Sequence, residues 1–379
     1  MSKILICHDY FFPAYKAGGP IQSILNLCRL LKDEKIDMFV LAGNKEVGDK
    51  IPIPTVLSDN WNNFEDSTAN VFYVSSFLRT IKFFLYECNK KKIDLLFLNS
   101  IFSFQYTVLP LIFTNSPIIL STRGMLHPSA LKQKKLKKFL YLFFFKIILL
   151  FRDIIFHVTD DVEKKFVENV FGNRYDIFVL PNIPSLFKQQ YLIKEVNNLN
   201  LISIALVGSM KNHKNVLLAL MKCKSNIIYK IYGPIKDNEY WDKCKIIMEK
   251  LPHNIKVIFM GPVLPMEVKQ VLKWAHVKIL PSKSENYGHA MVEALSAGKP
   301  LISSHFIPWN DLKTNNAGFN VDPDNIDELT NAIEFYANVD ATYYDVLSSN
   351  ASVYIRNKVN INHIKNAYIE FFNTIETKP

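Results

Sequence analysis

The amino-acid sequence predicts an α/β protein with two parallel sheets, each wound with helices. Three observations support this fold class. Short apolar runs alternate with helical patterns along the chain, which is typical of parallel sheets covered by helices. The segment LPNIP at residues 180–184 interrupts the alternation with two prolines, as a hinge would. The length of 379 residues corresponds to two or three domains, at about 150 residues per domain.

The first series of elements precedes this hinge. Strands are predicted at residues 4–8, 38–42, 71–74, 95–99, 118–122 and 154–159. Helices are predicted at residues 21–31, 77–88, 130–150 and 162–171. The strands are short apolar runs, and the helices have the spacing of apolar residues that a helix requires.

The second series follows the hinge. Strands are predicted at residues 202–207, 228–232, 256–260, 277–280 and 300–303, and helices at residues 216–221, 239–250, 266–274 and 289–296. Two such halves should enclose a cleft, and ligands of such sheets bind at the carboxyl ends of the strands. We therefore expect the functional motifs in the loops that lead from strands to helices.

The composition excludes some classes of protein and favours anionic partners. An apolar fraction of 49% with 21% charged residues is that of a globular protein, not of a disordered or collagen-like chain. The chain has 45 Lys and Arg against 35 Asp and Glu, which gives a net charge of +10. This surplus favours phosphates, nucleic acid or an acidic membrane face without choosing among them.

Cysteine usage and apolar runs predict where the protein works. The five cysteines contain no C-x-x-C pair, so neither a disulfide framework nor a zinc site is indicated, and a reducing compartment fits best. The N-terminus MSKILICHDY lacks the pattern of a signal peptide. The apolar run at residues 139–151 contains Lys146 and is shorter than the roughly 20 residues of a spanning helix. We expect a cytoplasmic protein.

Several common ligand motifs are absent from the sequence. No G-x-G-x-x-G follows the first strand and no G-x-x-x-x-G-K-[ST] is present, which argues against an NAD enzyme and a P-loop NTPase. We expect no dedicated metal site. Aromatic residues do not interleave with the basic run, so we expect no nucleic-acid partner.

The most informative segment is PSKSENYGHAMVEALSAGKP at residues 281–300. It follows a predicted strand and opens a helix at about Gly288, whose free N–H groups and dipole favour a phosphate. Glu293 lies inside this helix, where a carboxylate can accept two hydrogen bonds from a ribose diol. Glu285 precedes the helix and can hold hydroxyls beyond the phosphates. On residue types alone, an ordinary loop with a helix-end charge remains an equal alternative.

The string S-E-N-Y-G-x-x-x-V-E-A-L-x-x-G-K-P resembles the E-x7-E signature of retaining glycosyltransferases of family 4. That family has the GT-B fold, in which two facing Rossmann-like domains with parallel sheets form an interdomain cleft. HDYFFPAYKAGGP resembles the family's first strand and glycine loop, VLPNIP its interdomain turn, and LVGSMKNHKN its V-G-R-L-x-x-x-K-G loop. PWNDL followed by NAGFNV resembles a late segment of members that build bacterial surface polysaccharides.

The resemblance implies a set of donor-binding residues and a division of labour between domains. Residues 1–183 would form the acceptor-binding domain, residues 184–355 the nucleotide-sugar-binding domain, and a helix at 356–379 would cross back to the N-terminal domain. The implied donor-binding residues are Gly18, Gly19, Gly208, Ser209, Lys214, Asn286, Tyr287, Gly288 and Glu293. Glu285 and Lys214 would be catalytic, Lys214 by meeting the leaving diphosphate.

Two positions depart from the family pattern. Ser209 stands where many members have a phosphate-binding Arg, which leaves Lys211 or Arg123 as candidates for that role. In STRGMLHP at residues 121–128, Arg123 is nearest to the position of the family's histidine and His127 follows four residues later. Both are candidate catalytic residues, and the sequence does not choose between them.

A basic stretch precedes the apolar run at residues 139–151. Five of the seven residues at 132–138 are lysines, among them Lys134, Lys135, Lys137 and Lys138. Basic residues beside aromatic ones indicate a helix lying on an anionic membrane face, and a core helix with a solvated start is the alternative. We expect these lysines to form a membrane or acceptor surface.

The resemblance therefore implies a retaining transferase that moves a sugar from a nucleotide-diphosphate sugar to a saccharide or polyprenyl-diphosphate-linked acceptor in capsule, O-antigen or exopolysaccharide synthesis. It implies no cofactor and no metal requirement. Two alternatives remain at this stage. A nucleotide-sugar epimerase shares the architecture, and a non-catalytic sugar-nucleotide binder at the membrane would also fit the departures at Ser209 and Arg123.

Overall fold

The computed structural model of the chain describes residues 2–64, 67–132 and 134–376. Backbone contacts divide the chain after Ile183 and after Asn360. The first unit combines the N-terminal half with the last helix, and the second unit is the segment Pro184–Asn360 between them. Both units are α/β structures with predominantly parallel sheets.

The first unit is built on a sheet of eight strands. The strands are β1 (Ser2–Cys7), β2 (Ile36–Gly43), β3 (Trp61–Asn63), β4 (Asn70–Val74), β5 (Leu95–Leu98), β6 (Ile118–Ser121), β7 (Ile154–Val158) and β8 (Ile177–Val179). Their order is β3-β4-β2-β1-β5-β6-β7-β8, and all neighbours are parallel except β3 and β4. The central strands are buried on both faces, as parallel strands covered by helices are.

The helices of the first unit are α1 (Gly19–Leu30), α2 (Phe77–Lys82), α3 (Cys88–Lys91), α4 (Leu109–Phe113), α5 (Pro128–Lys132), α6 (Lys135–Leu149), α7 (Asp161–Phe171) and α14 (Ile361–Glu376). Short π-helical segments, Phe83–Glu87 and Phe104–Val108, join α2 to α3 and lead into α4. Residues 377–379 of the predicted C-terminal helix lie outside the described residues.

The second unit has a sheet of six strands, all parallel. They are β9 (Asn198–Ile204), β10 (Asn226–Tyr232), β11 (Ile255–Gly261), β12 (Val277–Leu280), β13 (Leu301–Ser304) and β14 (Gly318–Val321), in the order β11-β10-β9-β12-β13-β14. The helices are α8 (His213–Leu220), α9 (Asn238–Met248), α10 (Val268–Lys273), α11 (His289–Ser296), α12 (Ile326–Asn338) and α13 (Ala341–Lys358).

The helix predicted at residues 130–150 and the domain boundary predicted after residue 355 both differ from the structure. The single helix expected at residues 130–150 is two helices, α5 and α6, because Lys134 adopts a left-handed φ of 53° that ends one helix before the next. Gln133 lies outside the described residues. A boundary after residue 355 would cut α13, which continues to Lys358, and the break between the units follows at Asn360.

Apolar side chains on the two faces of the second sheet form separate clusters. The larger cluster contains Val277 and Ile279 of β12. On the opposite face, Ile202 of β9 belongs to a smaller cluster with Ala294 and Ala297, from α11 and its C-terminal end. Helix α11 therefore covers the sheet beside β9, with its N-terminus near the carboxyl ends of the strands.

Candidate functional site

Three loops that follow strands meet at the carboxyl edge of the second sheet. The loop after β9 and the loop after β12 are joined where the Lys283 amide donates to the Met210 carbonyl at 2.8 Å. The Glu285 amide donates to the carbonyl of Phe306, in the loop after β13, at 3.2 Å. Because β9, β12 and β13 are neighbours, the loops gather the predicted site residues of this unit.

Gly288 makes the turn into α11 possible. Its φ of +76° lies in the left-handed region, which glycine adopts without steric cost. A Cβ at this position would also lie 2.9 Å from the Met291 Sδ. The helix that follows presents its first amides at the loop, where an anion is favoured.

Glu285 is held in an ion pair. The Lys211 Nζ lies 2.5 Å from the Glu285 Oε1, and the side chains are 22% and 14% exposed, respectively. The Ser282 hydroxyl also donates to Glu285 Oε1, at 3.1 Å. The carboxylate is thereby fixed in front of α11, and one of its oxygens is occupied by two donors.

Glu293 is buried in α11 and lacks a protein partner. Glu293 is 7% exposed. Within the described part of the chain, no side chain or backbone amide donates a hydrogen bond to its carboxylate. Burial raises its pKa to about 7, against the charge of Lys278, which lowers it. A buried carboxylate without hydrogen bonds is costly, and it is suited to accept bonds from a ligand.

Two buried polar side chains beside this cluster were missed by the sequence analysis. Lys278, in the middle of β12, is fully buried, and burial lowers its pKa to about 8 although Glu293 and Glu285 raise it. His213 is fully buried at the start of α8, and neither ring nitrogen has a hydrogen-bond partner among the described residues. The only signal for Lys278 was a lysine inside the otherwise apolar run VKIL.

The glycine loop of the second unit forms a short turn. Gly208 precedes a 3-10 turn at Ser209–Lys211, which carries Lys211 to Glu285. Lys214 lies in the first turn of α8 and is exposed. Its backbone amide donates to the Tyr240 hydroxyl at 2.8 Å. The structure thus places Lys211 in the ion pair with Glu285, whereas Lys214 lies beside α9.

Tyr287 and Asn286 complete the loop before α11. The Tyr287 carbonyl accepts a hydrogen bond from the Trp309 indole at 2.9 Å, and the two rings are in edge contact. Trp309 belongs to the PWNDL segment, so that segment supports the loop. Asn286 is exposed.

The remaining predicted site residues lie in the first unit. Gly18 precedes α1 with a φ of +77°, and Gly19 is the first residue of that helix. Arg123 has a positive φ of 47°. Its guanidinium donates to Asn99 Oδ1 at 2.7 and 3.0 Å and to Asn182 Oδ1 at 2.6 Å. These bonds hold Arg123 within its own unit.

His127 and the lysines occupy another part of this unit. His127 is exposed and contacts the Phe166 ring edge-on, with 5.2 Å between centroids. Lys134, Lys135 and Lys137 are exposed around the start of α6. Lys138 is half-buried, and its ammonium donates a hydrogen bond to the Ala130 carbonyl at 2.7 Å.

No cluster of metal ligands was found in the part of the chain that the structure describes. Within residues 2–64, 67–132 and 134–376, no three His, Cys, Asp or Glu side chains are grouped to hold a metal ion. The chemistry of the site in the second unit is that of paired carboxylates, lysines and helix amides.

Residues 187–351 match the family described as glycosyl transferases group 1. This segment contains the cluster of Lys211, Glu285 and Glu293. No curated protein matches the chain by sequence.

Solved structures resemble the chain over its full length. Anabaena Alr3699/HepE in complex with UDP and glucose has a TM-score of 0.71 and 15% identity, covering 99% of this chain and 100% of that chain. Sucrose-phosphate synthase (tll1590) from Thermosynechococcus elongatus has a TM-score of 0.73 and 15% identity, covering 99% of both chains. The lipopolysaccharide outer core galactosyltransferase WaaB has a TM-score of 0.61 and 16% identity, covering 98% of this chain and 99% of that chain.

The protein is a glycosyltransferase with the GT-B fold. The structural likeness establishes the fold, and the group 1 match, which lies within the second unit, supports the enzyme class. The predictions of fold class and of enzyme class are thereby confirmed.

The raised pKa of Glu293 predicts a pH-dependent cost in stability. Its pKa is about 7 in the folded chain against an ordinary value of 4.5, so the folded state binds the proton more tightly. The stabilisation that this bound proton gives to the folded state is complete below a pH of about 4.5 and is lost as the pH rises to about 7. Glu293→Gln should therefore raise the free energy of unfolding by up to about 3 kcal/mol at pH 8 and by less than about 1 kcal/mol at pH 5.

Urea denaturation at both pH values measures this difference. The exposed residue Glu249 provides the control, since Glu249→Gln should change neither value appreciably. An equal change in the free energy of unfolding by Glu293→Gln at pH 5 and pH 8 would contradict the raised pKa of Glu293.

Proposed function

We propose that this glycosyltransferase is a retaining enzyme of family 4 that uses a nucleotide-diphosphate sugar. The observation that carries the proposal is the pair of carboxylates, Glu285 before α11 and Glu293 within it, at the carboxyl edge of the sheet. A helix N-terminus lies between them. This arrangement offers separate places for a sugar, a diphosphate and a ribose.

The nucleotide is proposed to lie along α11. Glu293, acceptor-only when ionised, takes hydrogen bonds from the ribose diol. The first amides of α11 and the Lys214 ammonium face the diphosphate. Gly208, Ser209 and Gly288 let the backbone approach it, and Asn286 and Tyr287 flank it.

Glu285 is proposed to bind the transferred sugar. Its ion pair with Lys211 and its bond from Ser282 fix the carboxylate, which retains a free oxygen toward the sugar hydroxyls. Preorganised groups of this kind stabilise charge that develops in the transition state without reorganising. Lys211 also adds a positive charge where the family arginine is replaced by Ser209.

The reaction is proposed to be a front-face displacement. The bond from the anomeric carbon to the diphosphate oxygen breaks, and the acceptor hydroxyl forms the new bond on the same face. Its proton passes to the departing phosphate oxygen, so no protein base is required. The leaving charge is met by Lys214 and the α11 amides.

The acceptor is proposed to be a saccharide or a lipid-linked saccharide of a bacterial surface polysaccharide, bound by the first unit. Gly18, Gly19, Arg123 and His127 are the residues of that unit proposed to face donor or acceptor. The structural similarity to a lipopolysaccharide galactosyltransferase supports this choice. A membrane-bound acceptor would also require the enzyme to reach the membrane.

Helix α6 is proposed to lie on an anionic membrane. Its exposed apolar residues are Leu136, Phe139, Leu140, Phe143, Phe144 and Ile147. Exposed lysines flank this face, and α6 contains no acidic residue, so its charge complements anionic lipid. Over the described residues, no helix has the length and apolar character needed to cross a bilayer.

The two glutamates should respond differently to truncation. Glu293→Ala should weaken binding of the bare nucleoside diphosphate by a few kcal/mol, since each hydrogen bond to a charged group contributes about 1.5–3 kcal/mol. Glu285→Ala should reduce kcat far more than it reduces that affinity. Calorimetric titration and steady-state kinetics measure the two effects, and equal losses in both variants would contradict separate roles.

Lys214→Ala should reduce kcat about a hundredfold to a thousandfold, because one stabiliser of the leaving charge is removed. Turnover of the nucleotide sugar measures this loss. Lys243→Ala, at an exposed lysine of α9, serves as the control. Near-full activity of Lys214→Ala together with an inactive Lys211→Ala would transfer the role to Lys211.

The wild-type chain should sediment with anionic vesicles at low salt and less so at 1 M salt, where the Debye length falls to about 3 Å. Replacing Lys134, Lys135 and Lys137 by Glu should abolish sedimentation, since each basic residue contributes on the order of 1 kcal/mol. Lys138 is retained because it is bonded to Ala130.

The control for this experiment carries the same change of charge elsewhere. Lys250, Lys256 and Lys273 are exposed in the second unit, and their replacement by Glu should leave sedimentation intact. Wild-type chain that remains in the supernatant at low salt would contradict the membrane proposal.

A further inference from the structure

Lys278 stands on the face of the second sheet that α11 covers. Side chains alternate along a strand, and its neighbours Val277 and Ile279 belong to the larger cluster on the opposite face. Lys278 is in register with Ile202 of β9. Ile202 packs in the smaller cluster with Ala294, the residue after Glu293. The lysine thus shares this face with the helix that carries Glu293.

The backbone does not account for the buried ammonium of Lys278. Its Nζ donates to the Ile204 carbonyl at 3.5 Å, although an ammonium has three donors. The described residues place no carboxylate oxygen within 4 Å of it. Lys194, another buried lysine of this unit, donates instead to three carbonyls, at 2.6, 2.8 and 3.3 Å. Lys194 is satisfied by the backbone, and Lys278 is not.

Charged and titratable groups lie on α11 and on the elements of the second unit near it. They are Lys278 on β12, Glu285 before α11, Lys211 in the turn before α8, His213 on α8, His289 on α11 and Arg356 on α13. Lys211 is paired with Glu285. Arg356 donates to the carbonyls of Ser296 and Phe187 at the other end of α11.

His213 adds no positive charge at neutral pH. Burial, with smaller contributions from Lys211 and Lys278, lowers its pKa to about 4. Lys278 is a buried cation without a direct carboxylate partner, and Glu293 is a buried carboxylate without a direct cation among the described residues. The charges of Glu293 and Glu285 act on Lys278.

We propose that Lys278 is a positioning residue of the donor site, whose buried positive charge favours the carboxylate form of Glu293 that accepts hydrogen bonds from the ribose. The proposal rests on the donor role given to Glu293 above. Lys278 does not touch the substrate. It acts through Glu293, and its effect is therefore on the pH range in which the nucleotide binds.

Lys278→Met tests this role, because methionine keeps the length of the side chain and removes the charge. The Kd of the nucleoside diphosphate should rise about tenfold near pH 7, and the acid limb of its pH profile should move up by about one unit. In the Glu293→Gln background the same substitution should change Kd by less than about twofold.

Lys299 provides a matched control in the same unit. It is fully buried, its Nζ donates to the Gln190 carbonyl at 3.0 Å, and burial alone lowers its pKa to about 8. Lys299→Met removes an equally buried charge and should leave the acid limb unmoved. An identical displacement in both variants would overturn a specific role of Lys278.

A measurement without ligand separates this proposal from the donor role itself. With ¹³C-labelled glutamate carboxyls, assigned through Glu293→Gln, the Glu293 midpoint should rise in Lys278→Met and stay unchanged in Lys299→Met. An unchanged midpoint in Lys278→Met would overturn the proposal whatever the binding result. A raised midpoint in a chain that binds no nucleotide would place the failure in the donor role.

The wild-type chain gives a second measurement if Lys278→Met does not fold. Its Glu293 resonance should respond to two proton losses, that of Glu293 itself and that of Lys278, because the two groups are coupled. A single response would overturn the coupling between the two residues.

Discussion

The burial of charge between α11 and the second sheet is the constraint on which the rest of this unit depends. Glu293 and Lys278 are both removed from water, and neither has a direct ion-pair partner among the described residues. Such burial opposes folding. The apolar clusters on both faces of the sheet must offset it, and a site that costs stability in this way is typical of function.

The neighbouring loops follow from that constraint. Charged groups can be fixed at the carboxyl edge of this sheet only if the loops after β9, β12 and β13 support one another. The hydrogen bonds donated by the backbone amides of Lys283 and Glu285 provide this support. Gly288 permits the turn that brings α11 into place. The result is a rigid set of acceptors and amides along a single helix, which suits a transition state that expels a diphosphate.

The sequence predicted the central strands because buried parallel strands are continuous apolar runs, and β12 lies at the predicted residues 277–280. It did not predict the short strands β3, β8 and β14. It predicted Glu285 and Glu293 as candidates from their spacing. It did not predict that Lys211, 74 residues earlier, would pair with Glu285, since such a pairing depends on tertiary structure. The break between α5 and α6 depends on one backbone dihedral angle, at Lys134, which the spacing of apolar residues does not predict.

The central claim is that a nucleotide lies along α11 between the two glutamates. A thermal-shift screen of UDP, GDP and ADP identifies the nucleotide that stabilises the chain most, and a crystal structure of that complex then tests the claim directly. The account predicts both ribose hydroxyls within hydrogen-bond distance of the Glu293 carboxylate and the diphosphate at the first amides of α11. A nucleotide bound elsewhere, with Glu293 not in contact with it, would contradict the account.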